Sequence, residues 1–396
     1  MHKLLPLTAL VALSSLASAQ KNVTLVWSGA ITGPTSDAGA PFSAGVEDYC
    51  KYANAKKMIP GVTLRCVVRD DQYNNANTQR NFEEFVGGER VPVFLGYSTG
   101  SMLQIKSIVQ ETKTPTLTSS YHIGLIDPPN NGYMFLPIAS YSENIVGLLE
   151  YVAKQDKGAK VALIVNPSPF GRDPVVDARA AAKRLGLTIS DVQEVGGNNL
   201  DNTALLKRLE SQGVKYVINQ NTAGPVANIL KDAKRLGLLG KMQFMGAHYA
   251  GGEDLTKLAG DAAKDFIWAT SYYLYDEASR PGMKLVKQIG TDAKRKADTI
   301  RSVHYTSGML GAAIAIEAMK RAGSNLSADG VYKALIGMNG KNAFNPGFTV
   351  GPVTFSAKDR VGAESMRFLR ADATGNFKAI TGATRSALFQ LVHPMK

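Results

Sequence analysis

An α/β protein of two doubly wound lobes is the fold class this sequence predicts, on three observations. Short apolar runs of strand length alternate with amphipathic helical stretches from residue 25 to residue 118. The same alternation starts again at Val161 and runs to Thr270. The C-terminal third carries one long helical stretch and three short β-like runs, as expected of a chain that returns to each lobe in turn.

In the first set, Leu25, Val26 and Trp27 mark a strand. Phe42, Val46, Tyr49, Cys50 and Ala53 fall on one face of a helix, and residues 62–68 form a second strand. A helix over 78–86, a strand over 91–95, a helix over 101–110 and a strand around 115–118 follow. Such alternation argues for a parallel sheet covered by helices on both faces. A linker is expected near Pro137 to Tyr141, just before an amphipathic helix with Ile145, Leu148, Leu149 and Val152 on one face.

The second set repeats the scheme with strands at 161–165, 188–195, 214–218, 243–245 and 266–270. Helices at 177–185, 204–209 and 226–236 separate them, the last with Val226, Ile229, Leu230 and Ala233 on one face. Beyond it come a long helix over 304–322, a Gly/Asn-rich passage over 337–351, and β-like runs at 353–355, 366–369 and 377–380.

One turn stands out for chemistry. Gly96-Tyr97-Ser98-Thr99-Gly100 lies between a strand and a helix, where free backbone N–H groups and the helix dipole favour an anionic group. The same five residues spell G-x-S-x-G, the string of the serine hydrolase nucleophile elbow. A triad would draw on His122, His248, His304 or His393, yet no His-Gly-Gly oxyanion segment lies upstream. The binding reading is therefore preferred to a hydrolase using Ser98. There is no Walker A string, no G-x-G-x-x-G after a strand and no H-E-x-x-H, so no catalytic activity, cofactor or metal is expected. The adjacent Asp70 and Asp71 read as a cap for the following helix.

Bulk properties narrow the class. At 396 residues, 44% hydrophobic and 20% charged, the chain suits about two globular domains. Lys3, the apolar run 4–16 and Ala17-Ser18-Ala19 read as a signal peptide over 1–19 with cleavage after Ala19, implying a soluble, periplasmic or otherwise extracytoplasmic protein. The formal net charge is +12, or +11 without Lys3, and its basic residues are scattered over helix surfaces, which argues against a nucleic-acid partner. The two cysteines, Cys50 and Cys66, sit on a helix and the next strand; in an oxidising compartment a disulfide is favoured over two buried thiols.

Several segments taken together resemble a known family: WSGAITGPTSDAGAPFSAGVEDY, VVRDDQYNNANTQRNFEEFV, FLGYSTG, TPTLTSS, PFGRD, GLLGKMQFMGAHYAGGEDLTKLAGDAAKDFIWATSYY and GPVTFSAKDR. They are similar to type I periplasmic binding proteins, most of all to the leucine/isoleucine/valine-binding branch of ABC-importer substrate-binding proteins, over nearly all of Asn22 to Phe389. The resemblance implies two Rossmann-like lobes joined by three crossovers, closing like a clamshell on a small molecule. On this pattern lobe 1 comprises 20–140 with 273–346, and lobe 2 comprises 141–272 with 347–396. It also implies a Cys pair like the disulfide of that branch, a monomer, and an ABC permease as partner. A sensory receptor of the same fold is the alternative, differing by partner rather than by site.

Carried over residue by residue, the resemblance points to Ser98 and Thr99 of the Gly96–Gly100 turn at a ligand carboxylate, and to Thr118, Ser119 and Ser120 at an α-ammonium and the carboxylate. Phe170 takes the place of a wall tyrosine in the second lobe, and Asn221 and Thr222 replace an aromatic-containing turn. Where amino-acid binders of the family have an acid, Met245-Gly246-Ala247 is followed here by His248 and Tyr249. Either Glu253 or Asp71 substitutes for that acid, or the ligand lacks an α-amino group. The sequence reading leans to a small carboxylate or amide, aromatic if Tyr97, Phe170 and Tyr249 form its walls.

Overall fold

A computed structural model describes residues 21–88, 91–126 and 132–393. The expected signal segment and its cleavage point after Ala19 lie outside the described residues.

The chain first builds β1 (Lys21–Gly29), α1 (Ser36–Ala55), β2 (Val62–Asp70), α2 (Asn75–Gly88), β3 (Phe94–Gly96), α3 (Thr99–Thr112), β4 (Thr116–Thr118) and β5 (Met134–Ile138). It then crosses to a second set: α4 (Tyr141–Gln155), β6 (Lys160–Val165), α5 (Pro169–Arg172), α6 (Val175–Leu185), β7 (Thr188–Glu194), α7 (Thr203–Ser211), β8 (Tyr216–Gln220), α8 (Ala223–Arg235), β9 (Gln243–Gly246), α9 (Glu253–Ala259) and β10 (Ile267–Thr270). A return adds α10 (Pro281–Asp292), α11 (Ala297–Arg301), α12 (Val303–Ala322), α13 (Ala328–Ile336) and β11 (Val361–Ala363). The last segment carries β12 (Arg367–Ala371), β13 (Phe377–Ala379) and α14 (Phe389–Val392).

The first sheet runs β11-β5-β4-β3-β1-β2, all parallel. The second runs β13-β12-β10-β9-β8-β6-β7, parallel except for the antiparallel pairs of β12 with β10 and β13. Strands covered on both faces read as continuous apolar runs, which is why Leu25–Trp27 and Val161–Val165 are buried throughout. Strand β3 starts later than expected because Pro92 has no N–H for a ladder.

The expected α1 face of Phe42, Val46, Tyr49, Cys50 and Ala53 is buried. It packs against α12 with the two backbones nearly touching: a Cβ on Gly45 would meet the Tyr305 carbonyl oxygen at 2.1 Å, and one on Gly308 the Phe42 carbonyl oxygen at 2.0 Å. Cys50 on α1 and Cys66 on β2 form a disulfide with Cα atoms 5.9 Å apart, clamping the helix to the edge strand.

The third passage between lobes differs from the expected boundary at 346/347. Val361–Ala363 pairs with β5 in the first sheet, so the chain leaves that lobe only after Ala363. Residues 353–355 make only an isolated bridge, Phe344 to Val353, because the Phe355 N–H goes to the Met338 carbonyl instead of a ladder. The crossovers lie close together: Ala139 N–H donates to the Ala363 carbonyl at 3.1 Å, and Tyr272, just past β10, bridges to Thr349.

Candidate functional site

Loops at the carboxyl ends of the parallel strands of both sheets meet around a small cavity. From the first lobe come Thr35, Tyr73, Tyr97, Ser98, Thr99 and Ser119; Tyr141, Phe170, Thr222 and Tyr249 face them from the second. Of the residues expected from sequence, seven line the cavity. Thr118, Ser120, Asn221 and His248 stand behind it.

Ser98 is the N-cap of α3, in extended backbone geometry, and its hydroxyl oxygen accepts from the Ser101 N–H at 3.1 Å. The helix N-terminus thus opens into the cavity with a hydroxyl at its mouth. A Cβ on Gly96 would lie 2.3 Å from the Met102 sulfur, so any larger residue there would displace the Met102 side chain. The Ser98 hydroxyl donates to the Ser101 hydroxyl at 2.8 Å, and His122, the next histidine in the chain, is engaged by Asp173. Neither contact builds a nucleophile–base pair.

Behind this turn the hydroxyls hold one another. Thr99 and Ser120 hydroxyls are 2.7 Å apart, and the Thr118 hydroxyl closes a turn by donating to the Ser120 carbonyl and accepting from the Ser120 N–H. This leaves the Ser119 carbonyl facing the cleft, where the Tyr249 hydroxyl donates to it at 2.7 Å. Across the cleft, Asn221 is a scaffold: its amide donates to the Val195 carbonyl and its oxygen accepts from the Thr222 N–H and from Asn166. Thr222 then opens α8 toward the cavity.

His248 is buried among Tyr121, Tyr249, Tyr272, Trp268 and His304. Burial, reinforced by His304, pushes its imidazole well below the usual histidine range, so it is neutral. Tyr249, not His248, reaches the cavity. Burial keeps the Tyr249 phenol protonated.

Thr35, Tyr73 and Tyr141 line the site and were not singled out from sequence. Gln72 and Tyr73 have φ of 56° and 60°, a pair of consecutive left-handed non-glycine residues. The adjacent carboxylates hold them there: Asp70 accepts from the Ile31, Thr32 and Gln72 N–H groups, and Asp71 accepts from the Tyr73 N–H at 2.9 Å and the Thr78 hydroxyl at 2.6 Å. Asn74, not either aspartate, caps α2 by accepting from Ala76 and Asn77. The Asp-Asp pair was the available signal, but its role is to aim Tyr73.

Asp71 is therefore fully engaged, and Glu253 lines a separate surface depression with Asp298 and Arg301. Neither lines the cavity. Direct contacts between the two lobes include Tyr249 to Ser119, His122 to Asp173, Ser302 to Asp254, and the Gly224 N–H to the Asp37 carboxylate at 3.3 Å.

The family model described as periplasmic binding protein matches residues 22–376. The chain belongs to the periplasmic binding protein family. A branched-chain amino acid ABC transporter protein of Thermus thermophilus, solved with bound valine, is 60% identical, with a TM-score of 0.92 over 95% of this chain and 99% of that one. The leucine-, isoleucine-, valine-, threonine- and alanine-binding protein of Pseudomonas aeruginosa is 20% identical over 67% of this chain and 71% of its own length. A solute-binding protein of R. palustris in complex with 4-hydroxybenzoate shares the fold at 18% identity, with a TM-score of 0.77 over 92% and 98% of the two chains. The first and third of these are ABC transporter proteins, and the second is an amino-acid-binding protein. Among the described residues, no helix of this periplasmic binding protein is long and apolar enough to cross a membrane.

Proposed function

We propose that this chain is the solute-binding component of an ABC importer and takes a branched-chain amino acid of the valine class in the cleft between its lobes. The observation that carries the reading is the Ser98-capped N-terminus of α3, opposed across a small cavity by Phe170, Thr222 and Tyr249. The backbone N–H groups of a helix N-terminus suit a carboxylate, and the rings of Tyr73 and Tyr97 suit a short apolar side chain. The 60% identity to a valine-bound protein moves the ligand from the carboxylate or amide favoured by sequence to an α-amino acid.

Ligand docks on the first lobe, and closure brings the second lobe's aromatic groups over it and excludes water. Ligand shifts the lobes toward closure only through groups that contact it in the closed state, so Phe170, Thr222 and Tyr249 govern its contribution. The closed monomer then docks on a membrane permease. Ser98 holds ligand and performs no catalysis.

Mass spectrometry of the native protein for a co-purified molecule, followed by calorimetric titration with valine, leucine, isoleucine and 4-hydroxybenzoate, tests this. Saturable binding of a branched-chain amino acid is expected. Binding of the aromatic acid alone would replace the reading.

A further inference from the structure

The cavity has an electrostatic peculiarity that bears on how it would hold the cationic end of an amino acid. Among the described residues, no carboxylate lines it. Asp71 accepts from Tyr73 and Thr78, Asp173 is engaged by His122, and Asp37 accepts from Gly224 and Ala38 at the rim, while Glu253 is a buried carboxyl that burial keeps protonated beside a separate depression. A buried ammonium needs some compensation, since desolvating a charge without a partner is costly.

Three side chains on the second-lobe side offer it. The rings of Tyr141 and Phe170 have centroids 5.2 Å apart at 70°, those of Phe170 and Tyr249 are 5.7 Å apart at 89°, and those of Tyr141 and Tyr249 are 6.2 Å apart at 57°. Three mutually inclined rings make a corner, and all three line the cavity. A cation on the cavity side of that corner can lie within about 6 Å of every centroid, the range over which ring quadrupoles attract cations. The corner also has an acceptor. The Ser119 carbonyl receives the Tyr249 hydroxyl at 2.7 Å and lies 3.5 Å from the Tyr141 hydroxyl, so both phenol oxygens point their donors at it and keep lone pairs for another donor.

Resting on the amino-acid reading above, we infer that the ligand's ammonium is held in an aromatic corner of Tyr141, Phe170 and Tyr249, with the Ser119 carbonyl, and without a carboxylate counter-charge. The two ends of the ligand are then recognised by neutral groups only: helix N–H groups at one end, ring faces and oxygen lone pairs at the other. The neutral state of His248 fits this. Its ring centroid lies 4.8 Å from that of Tyr249, where an imidazolium would compete with the ligand for the same ring.

The test replaces Phe170 by trifluorinated phenylalanine, which keeps shape while withdrawing electron density from the ring face, and separately makes Phe170→Leu. Calorimetric titration with valine reads the result. Valine affinity is expected to fall about tenfold on trifluorination and about 10- to 30-fold in Phe170→Leu, the fold-change of a desolvated cation–π contact. Unchanged affinity in the fluorinated protein overturns the inference, whatever happens in the leucine variant. Failure of the unmodified protein to bind any branched-chain amino acid is a different result; it removes the functional reading first and the inference with it.

Discussion

The Tyr249 hydroxyl donates to the Ser119 carbonyl at 2.7 Å, joining the two lobes inside the cleft. Because donor and acceptor belong to different lobes, this bond exists only in the closed arrangement, and its free energy adds to closure alone. A single neutral hydrogen bond contributes about 0.5–1.5 kcal/mol. Tyr249→Phe, which keeps the ring, is therefore expected to weaken valine binding by about 3- to 10-fold. Solution scattering at half-saturating ligand should show a larger open fraction. Equal affinities of variant and parent would mean that the bond does not favour closure.

Ser98 serves the helix and the ligand at once, and the two roles separate experimentally. Loss of an N-cap hydroxyl costs about 1 kcal/mol of stability, so Ser98→Ala should lower the melting temperature by only about 2 °C. Valine affinity is expected to fall more than tenfold, since the cap that sets the first N–H groups of α3 toward the cavity is gone. A large loss of stability with ligand affinity intact would place Ser98 in the scaffold.

His122 and Asp173 form a second contact between lobes, and the Asp173 side chain is only 3% exposed. Burial pushes its carboxyl above the usual range while His122 pulls it back. Removing His122 strands a buried carboxylate, the costly half of a broken pair. His122→Ala should weaken ligand binding by about tenfold or more, and Asp173→Asn in the same protein should recover part of it. Strictly additive losses in that double-mutant cycle would show that the pair does not act together.

Stability should depend on pH through Glu253. Burial holds its carboxyl at about 8, against 4.5 ordinarily. Between those values the folded protein carries a proton that the unfolded chain has released, so stability falls as pH rises across the window and levels off above it. Asp254, pushed to about 6 by burial, adds to the slope with the same sign. Glu253→Gln should therefore raise the melting temperature at pH 8 and change it little at pH 4.5. Melting curves of both proteins at the two values check this; equal differences would contradict the assignment.

The alternation of strands and helices was legible because a parallel sheet covered on both faces imposes apolar runs that nothing else in a soluble chain requires. The Gly96–Gly100 turn was legible for a related reason, since a tight strand-to-helix passage needs small residues and a capping hydroxyl. Tyr73 and Tyr141 were not. Tyr73 reaches the cleft through a left-handed pair stabilised by Asp70 and Asp71, and such backbone leaves no periodicity to read. Tyr141 opens α4 just past a crossover, so its neighbours in space, Tyr121, Phe170 and Tyr249, come from both lobes and from distant parts of the chain. The edge strand β11 escaped notice because three residues carry too little pattern to show which sheet they join.

The placement of the last strands also dictates the order in which the molecule can be completed. The first sheet lacks its edge until residue 363 exists, and the second lacks two strands until residue 379. Neither lobe is a contiguous stretch that could finish while the rest of the chain is still being made. Pairings between residues so distant in sequence close large loops and are slow to form. Both halves of the clamshell therefore wait for the segment from 361 to 379, and removing that segment would leave both sheets unfinished rather than spare one.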